Sequence, residues 1–163
     1  MQRPSPDAER PHASCWQRLG SIVTTIFVVA VLGNYPWELL QAPLYVGMES
    51  FRTVAWHCFV ASLGDGLLVL GIFATGWVAL RRHTWFMRPG VQGYGVMLMT
   101  GLVLGIAIEW IAVHRLGRWM YTAQMPLVPG LAIGAVPVAQ MLILPPVIFR
   151  LVAIWRGRTA GSA

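Results

Sequence analysis

Four long stretches of this chain carry almost no charge, and nothing else in the sequence limits the fold as much. Leu19 to Trp37 is nineteen residues without an Asp, Glu, Lys or Arg, and the apolar runs cover about Leu19 to Gln41, Val54 to Leu80, Val91 to His114 and Leu127 to Ile154. A helix needs about 20 predominantly apolar residues to cross the hydrocarbon core of a bilayer. Inside lipid each backbone N–H and C=O must find its partner within the protein, so runs of this length are expected as helices. The sequence therefore predicts an all-α integral membrane protein. A four-transmembrane-helix bundle over residues 18–156 lies between a disordered cytoplasmic tail at 1–17, rich in Pro and charge, and a short tail at 157–163. Composition agrees, with 56% hydrophobic and 11% charged residues, where soluble chains carry about a quarter charged.

The charges between the runs set a direction. All twelve basic residues are Arg. Nine of them (Arg3, Arg10, Arg18, Arg81, Arg82, Arg88, Arg150, Arg156 and Arg158) flank one set of helix ends, and three (Arg52, Arg115 and Arg118) flank the other. Basic residues concentrate on the cytoplasmic side, so both termini are expected there, with the chain crossing the inner membrane of a cell. These Arg residues occupy short gaps between apolar runs and read as orientation signals and headgroup contacts rather than a nucleic-acid surface. In the third run "GLVLG" puts Gly101 and Gly105 on one face for close helix approach. In the fourth, Pro137 and the pair Pro145-Pro146 predict a kinked helix.

Glu38, His57, Asp65 and Glu109 come from three helices of alternating direction, and the expected topology brings all of them to the outer half of the membrane. A charged side chain at the centre of a spanning helix costs about 3 kcal/mol on insertion scales, and such residues face the bundle interior and mark function. Spacing supports that orientation. Gly101, Gly105 and Glu109 share one helix stripe, Asn34, Glu38 and Gln41 share another, and Asp65 lies between Gly64 and Gly66. The candidate site thus has Asp65, Glu109, Glu38 and His57 as acid–base groups, with Asn34, Gln41, Gln140, Arg118 and Tyr121 as substrate-binding residues. A plainer account has Glu38 and Glu109 snorkelling to the interface or pairing with Arg52, Arg115 or Arg118, and "GRWMY" as an interfacial aromatic belt.

Spacing removes several chemistries. His57 and Cys58 are adjacent and cannot both face one ion, Cys15 and Cys58 are a whole span apart, and no phosphate loop, "GxSxG" elbow or CxxC pair is present. No metal or cofactor is expected. Acid–base or proton-exchange chemistry by buried carboxyl groups remains, suited to isomerising, hydrating or cyclising a polyene that enters from the bilayer.

Glu109 followed by "GRWMY", "MP", "PG" and "AVPVAQ" resembles small membrane carotenoid-modifying proteins of the lycopene cyclase type, over about a quarter of the chain. The resemblance implies a helical membrane fold and acid-catalysed, non-redox action on a forty-carbon isoprenoid, with Glu109 in the matching position. The family pattern has an acidic residue where this chain has Gln140. Three function classes follow: a membrane enzyme on a lipid or lipophilic small molecule, a proton-coupled carrier, and a non-catalytic subunit or assembly factor. The carrier favours a homo-oligomer, and the subunit implies a membrane-protein partner.

Overall fold

The computed structural model describes residues 15–48 and 50–161. Its main elements are α1 (Cys15–Gln41), α2 (Phe51–Leu80), α3 (Gly90–Trp110) and α4 (Ala135–Gly161), and each is long and apolar enough to cross a membrane. Helix α1 packs on α2 and α4, and α3 packs on the same two, so the helices close a ring in chain order. Leu32, Leu40, Val78, Val91 and Val103 point outward, each more than half exposed. A continuous apolar exterior of this kind suits lipid.

The interior is divided along its length. At one end Ile22, Ile26, Val69, Ile72, Phe73, Met97, Ile148, Phe149 and Val152 form a dry core. The connection after α2 tightens it, because Trp85 and Phe86 tuck inward with their rings 5.5 and 5.7 Å from that of Phe149. The buried indole of Trp85 is satisfied by donating from Nε1 to the Phe73 carbonyl at 3.1 Å. Gly76 makes this insertion feasible, since any Cβ there would overlap the indole. The opposite half buries polar groups instead: Asn34, Gln41, Glu109 and Gln140. We call the halves the apolar end and the polar end.

The expected close approach through Gly101 and Gly105 is present, against α4. A Cβ on Gly101 would collide with the Met141 carbonyl oxygen, and one on Gly105 would lie 3.2 Å from Met141 Cβ. A backbone carbonyl cannot swing aside as a side chain can. Gly101→Ala should therefore cost about 1–3 kcal/mol, the usual range for overpacking, whereas Gly95→Ala, with open space at the same helix, should not. Thermal unfolding of the two variants in detergent is the check, and equal midpoints would refute the close contact.

The fourth apolar run is not helical throughout. Leu127–Val128 (β1) and Ile133–Gly134 (β2) form an antiparallel hairpin, and α4 starts only at Ala135. Pro126 and Pro129 have no N–H to donate, and Gly130 takes φ +78° in the turn, so this stretch turns back although it is apolar. Pro137 consequently falls in the first turn of α4, at the start of the fourth span, where a missing N–H has no bond to lose. Helix α4 continues through Pro145 and Pro146 to Gly161, into the segment expected as a tail. At the other terminus α1 already begins at Cys15, within the expected 1–17 tail, whose first fourteen residues lie outside the described ones.

Two loops cover the polar end. Helix α1 ends in a 3-10 turn at Ala42–Leu44, and α3 widens into a π-helical turn at Ile111–Arg115, with Leu116 N donating to Ile111 O at 3.0 Å. Beyond these turns the loops pair. Val46 N donates to Met120 O and Thr122 N to Leu44 O, both at 2.9 Å, which sets Tyr45 opposite Tyr121. This short ladder clasps the α1–α2 connection to the α3–α4 connection.

Candidate functional site

Beneath the clasp lies a cavity of about 740 Å³, within the range of about 300–1,000 Å³ typical of small-molecule sites. Its walls come from Glu38 and Gln41 of α1, Tyr45, the α2 face bearing Trp56, His57, Val60, Ala61, Gly64 and Leu68, then Ile108 and Glu109 of α3, Arg118, Trp119 and Pro137. Val60 of α2 and Ile108 of α3 line this space and are 49% and 44% exposed.

Glu109 is held from the loop side. Its Oε1 accepts from the Tyr121 hydroxyl at 2.5 Å and from Trp119 Nε1 at 3.3 Å, and neither bond uses Oε2. The Tyr121 oxygen in turn accepts from Gly134 N at 2.8 Å, so β2 fixes Tyr121 and Tyr121 fixes Glu109. Gly134 comes so near that a Cβ there would be 3.2 Å from Glu109 Oε1. Burial, and then the hydrogen bond to Glu109, push ionisation of Tyr121 well above the usual tyrosine range. Burial, followed by the charges of Glu109 and Glu38, does the same to Tyr45. Both side chains stay phenols, and Tyr121 keeps its proton to donate.

A second cluster joins α1, α2 and α4. Asn34 donates from Nδ2 to Ala30 O at 2.8 Å, which turns its Oδ1 towards Gln140. Gln140 Nε2 lies 2.8 Å from that oxygen, 2.9 Å from Glu38 Oε1 and 2.9 Å from Asp65 Oδ2. Gln41 Nε2 reaches Glu38 Oε1 at 2.7 Å and Gln140 Oε1 at 3.2 Å. Glu38 Oε1 and Asp65 Oδ2 thus converge on one nitrogen, each 2.9 Å from Gln140 Nε2. Two buried atoms are without partners among the described residues, Gln41 Oε1 and Trp37 Nε1.

The residues expected at the site thus divide. Glu38, Glu109, His57, Gln41 and Arg118 line the cavity. Asp65, Asn34 and Gln140 sit behind the wall and brace Glu38, and Tyr121 braces Glu109 rather than lining the space. His57 is exposed, with Nδ1 donating to Thr53 O at 2.8 Å. The bonding partners of the three carboxyl groups are amides, a phenol and an indole, not the Arg residues of the plainer account. Arg115 lies instead over the Trp110 ring, 5.9 Å from its centroid. Among the described residues no three His, Cys, Asp or Glu side chains are grouped as a metal ion would require.

Sequence reasoning missed Trp119 and Tyr45. A usable signal existed for the first: Trp119 and Tyr121 are two apart, which in an extended segment puts both on one side. Tyr45 had none, because its place depends on a ladder between two loops far apart in the chain. No family model, curated protein or solved structure matches the chain. What the site does has to be taken from its own chemistry.

Proposed function

We propose that this protein is a multi-pass membrane enzyme that carries out non-redox acid–base chemistry on a lipophilic, isoprenoid-like molecule. One observation carries the reading: one cavity with largely apolar walls has both Glu38 and Glu109 in its wall, each bonded to neutral donors. A carboxyl group against such a wall is suited to protonate a carbon–carbon double bond, and positioned proton transfer contributes about 10²–10⁴-fold to rate. The cation that results is stabilised by a carboxylate and by aromatic faces. Glu109, with two donors fixing its Oε1, supplies the first, and Tyr45, Trp56 and Trp119 supply the second. Loss of a proton from a neighbouring carbon then gives an isomerised or cyclised product. The resemblance of the segment from Glu109 to Gln140 to lycopene cyclase-type proteins supports the same substrate class.

In this reading both termini are cytoplasmic, α4 bends at Pro145-Pro146, and the polar end faces the outer side of the inner membrane, as the Arg distribution favours. A cysteine in place of Thr84, in a chain lacking Cys15 and Cys58, should resist an impermeant thiol reagent in intact cells; labelling from outside would reverse the orientation. The enzymatic part is tested by comparing lipid extracts of cells that make the protein, make Glu109→Gln, or make neither. A lipophilic isomer or hydrate should appear only with the unaltered protein at equal membrane levels. Identical extracts from all three would remove the enzyme reading.

A further inference from the structure

The hydrogens available to the Glu38–Asp65 cluster do not match its acceptors. Gln140 Nε2 carries two N–H bonds yet lies within 2.9 Å of three acceptors, Asn34 Oδ1, Glu38 Oε1 and Asp65 Oδ2. The two hydrogens on Gln41 Nε2 are directed at Glu38 Oε1 and Gln140 Oε1. Turning the Gln140 amide over does not help, because Asn34 Nδ2 is committed to Ala30 O and leaves only an oxygen facing Gln140. Four amide hydrogens thus serve five close contacts, with two carboxyl groups converging on one nitrogen. The cluster is one hydrogen short.

We propose that Glu38 and Asp65 form an acid dyad sharing a single proton, that Gln140 is the positioning residue which holds them together, and that Glu38 delivers the proton into the cavity. Two half-buried carboxylates that converge on one donor nitrogen, with no cation between them, do not both stay ionised, and one proton supplies the missing hydrogen. The delivery route follows from placement, since Glu38 is in the cavity wall and Asp65 is behind it. Of the titratable and charged groups around the dyad and its cavity, α2 contributes Cys58 and His57, α3 contributes Glu109, the loops contribute Tyr45, Tyr121 and the cation Arg118, and α4 contributes none at this end. Glu109 already accepts two hydrogens at Oε1, which suits it to stay a carboxylate opposite the cation while the dyad acts as the acid.

This division of roles rests on the acid–base reading above, and its proton balance closes. Transfer from Glu38 breaks the substrate π bond, forms a C–H bond and leaves a carbocation facing an ionised dyad. Loss of a proton from an adjacent carbon back to the dyad forms the new double bond, so nothing is consumed.

The test reads the proton and needs no substrate. The full chain in lipid vesicles, carrying Glu109→Gln to remove that group's signal, should show an infrared protonated-carboxyl band at neutral pH. Adding Asp65→Asn should abolish the band, and adding Glu38→Gln instead should do the same, because either amide supplies the missing hydrogen and leaves its neighbour ionised. Asp65→Glu, which keeps both acids, should retain a band and guards against loss through misfolding. Gln140→Leu should move the pH at which the band titrates, which a packing role alone would not do. A band absent from the Glu109→Gln protein, or surviving either amide substitution, overturns the shared proton. Because no product is measured, that failure is distinct from unchanged lipid extracts.

Discussion

Glu38→Gln and Glu109→Gln should each lower product formation by about 10²–10⁴-fold, the span a positioned proton donor or acceptor contributes, while both proteins insert and fold. The argument depends on what the amide keeps. At position 38 it preserves an oxygen for the donors of Gln41 and Gln140, at 2.7 and 2.9 Å in the parent chain. At position 109 it preserves the acceptor of Tyr121 and Trp119. Shape and bonding survive, and only the charge and the exchangeable proton are lost. The measurement is product per unit of protein in the membrane. Full activity in both variants would leave the cavity as a binding site without acid–base chemistry.

Gln140→Leu should be the most destabilising single change at the polar end. It keeps the volume but withdraws the one amide among the described residues that bridges α4 to both α1 and α2, leaving Asn34 Oδ1 and Asp65 Oδ2 without their donor. A stranded buried acceptor costs roughly 1–3 kcal/mol, and here there are two. Glu38 suffers less because Gln41 still donates to it. Thermal unfolding in detergent is the check, with Met141→Leu as a volume-conserving change on the same helix. If Gln140→Leu melts with that control, the amide network carries no stability and the dyad loses its clamp.

Much of the bundle was legible in the sequence because lipid leaves few choices: a long uncharged run with no other use is a helix. The register of Gly101, Gly105 and Glu109 was legible for a related reason, since helical spacing puts them on one stripe and a close-packing stripe faces protein. The exception was 127–134, where hydropathy and backbone chemistry disagree and the prolines with Gly130 prevail. At the site, spacing identified which residues are polar and deep but not which touch. Gln140 and Asn34 are 106 positions apart, and only packing of α4 against α1 makes them partners. Asp65 was expected among the acid–base groups of the site together with Glu38; the α2 face that lines the cavity runs through His57, Gly64 and Leu68, and Asp65 meets Gln140 instead.

The packed apolar half has an electrical consequence. Trp85, Phe86 and Phe149 seal it with rings and no polar path, so it behaves as an insulator between the carboxyl groups and the far aqueous phase. Most of a transmembrane voltage then falls across that half rather than across the cavity, where moving one charge through the full field is worth about 2.3 kcal/mol per 100 mV. On the proposed reading, protons reach Glu38 and Glu109 from the side of the cavity and cross little of the field. Protonation of the site should then follow the pH of the compartment it faces and ignore the membrane potential, a behaviour suited to the proposed acid–base chemistry, which draws nothing from the membrane's energy.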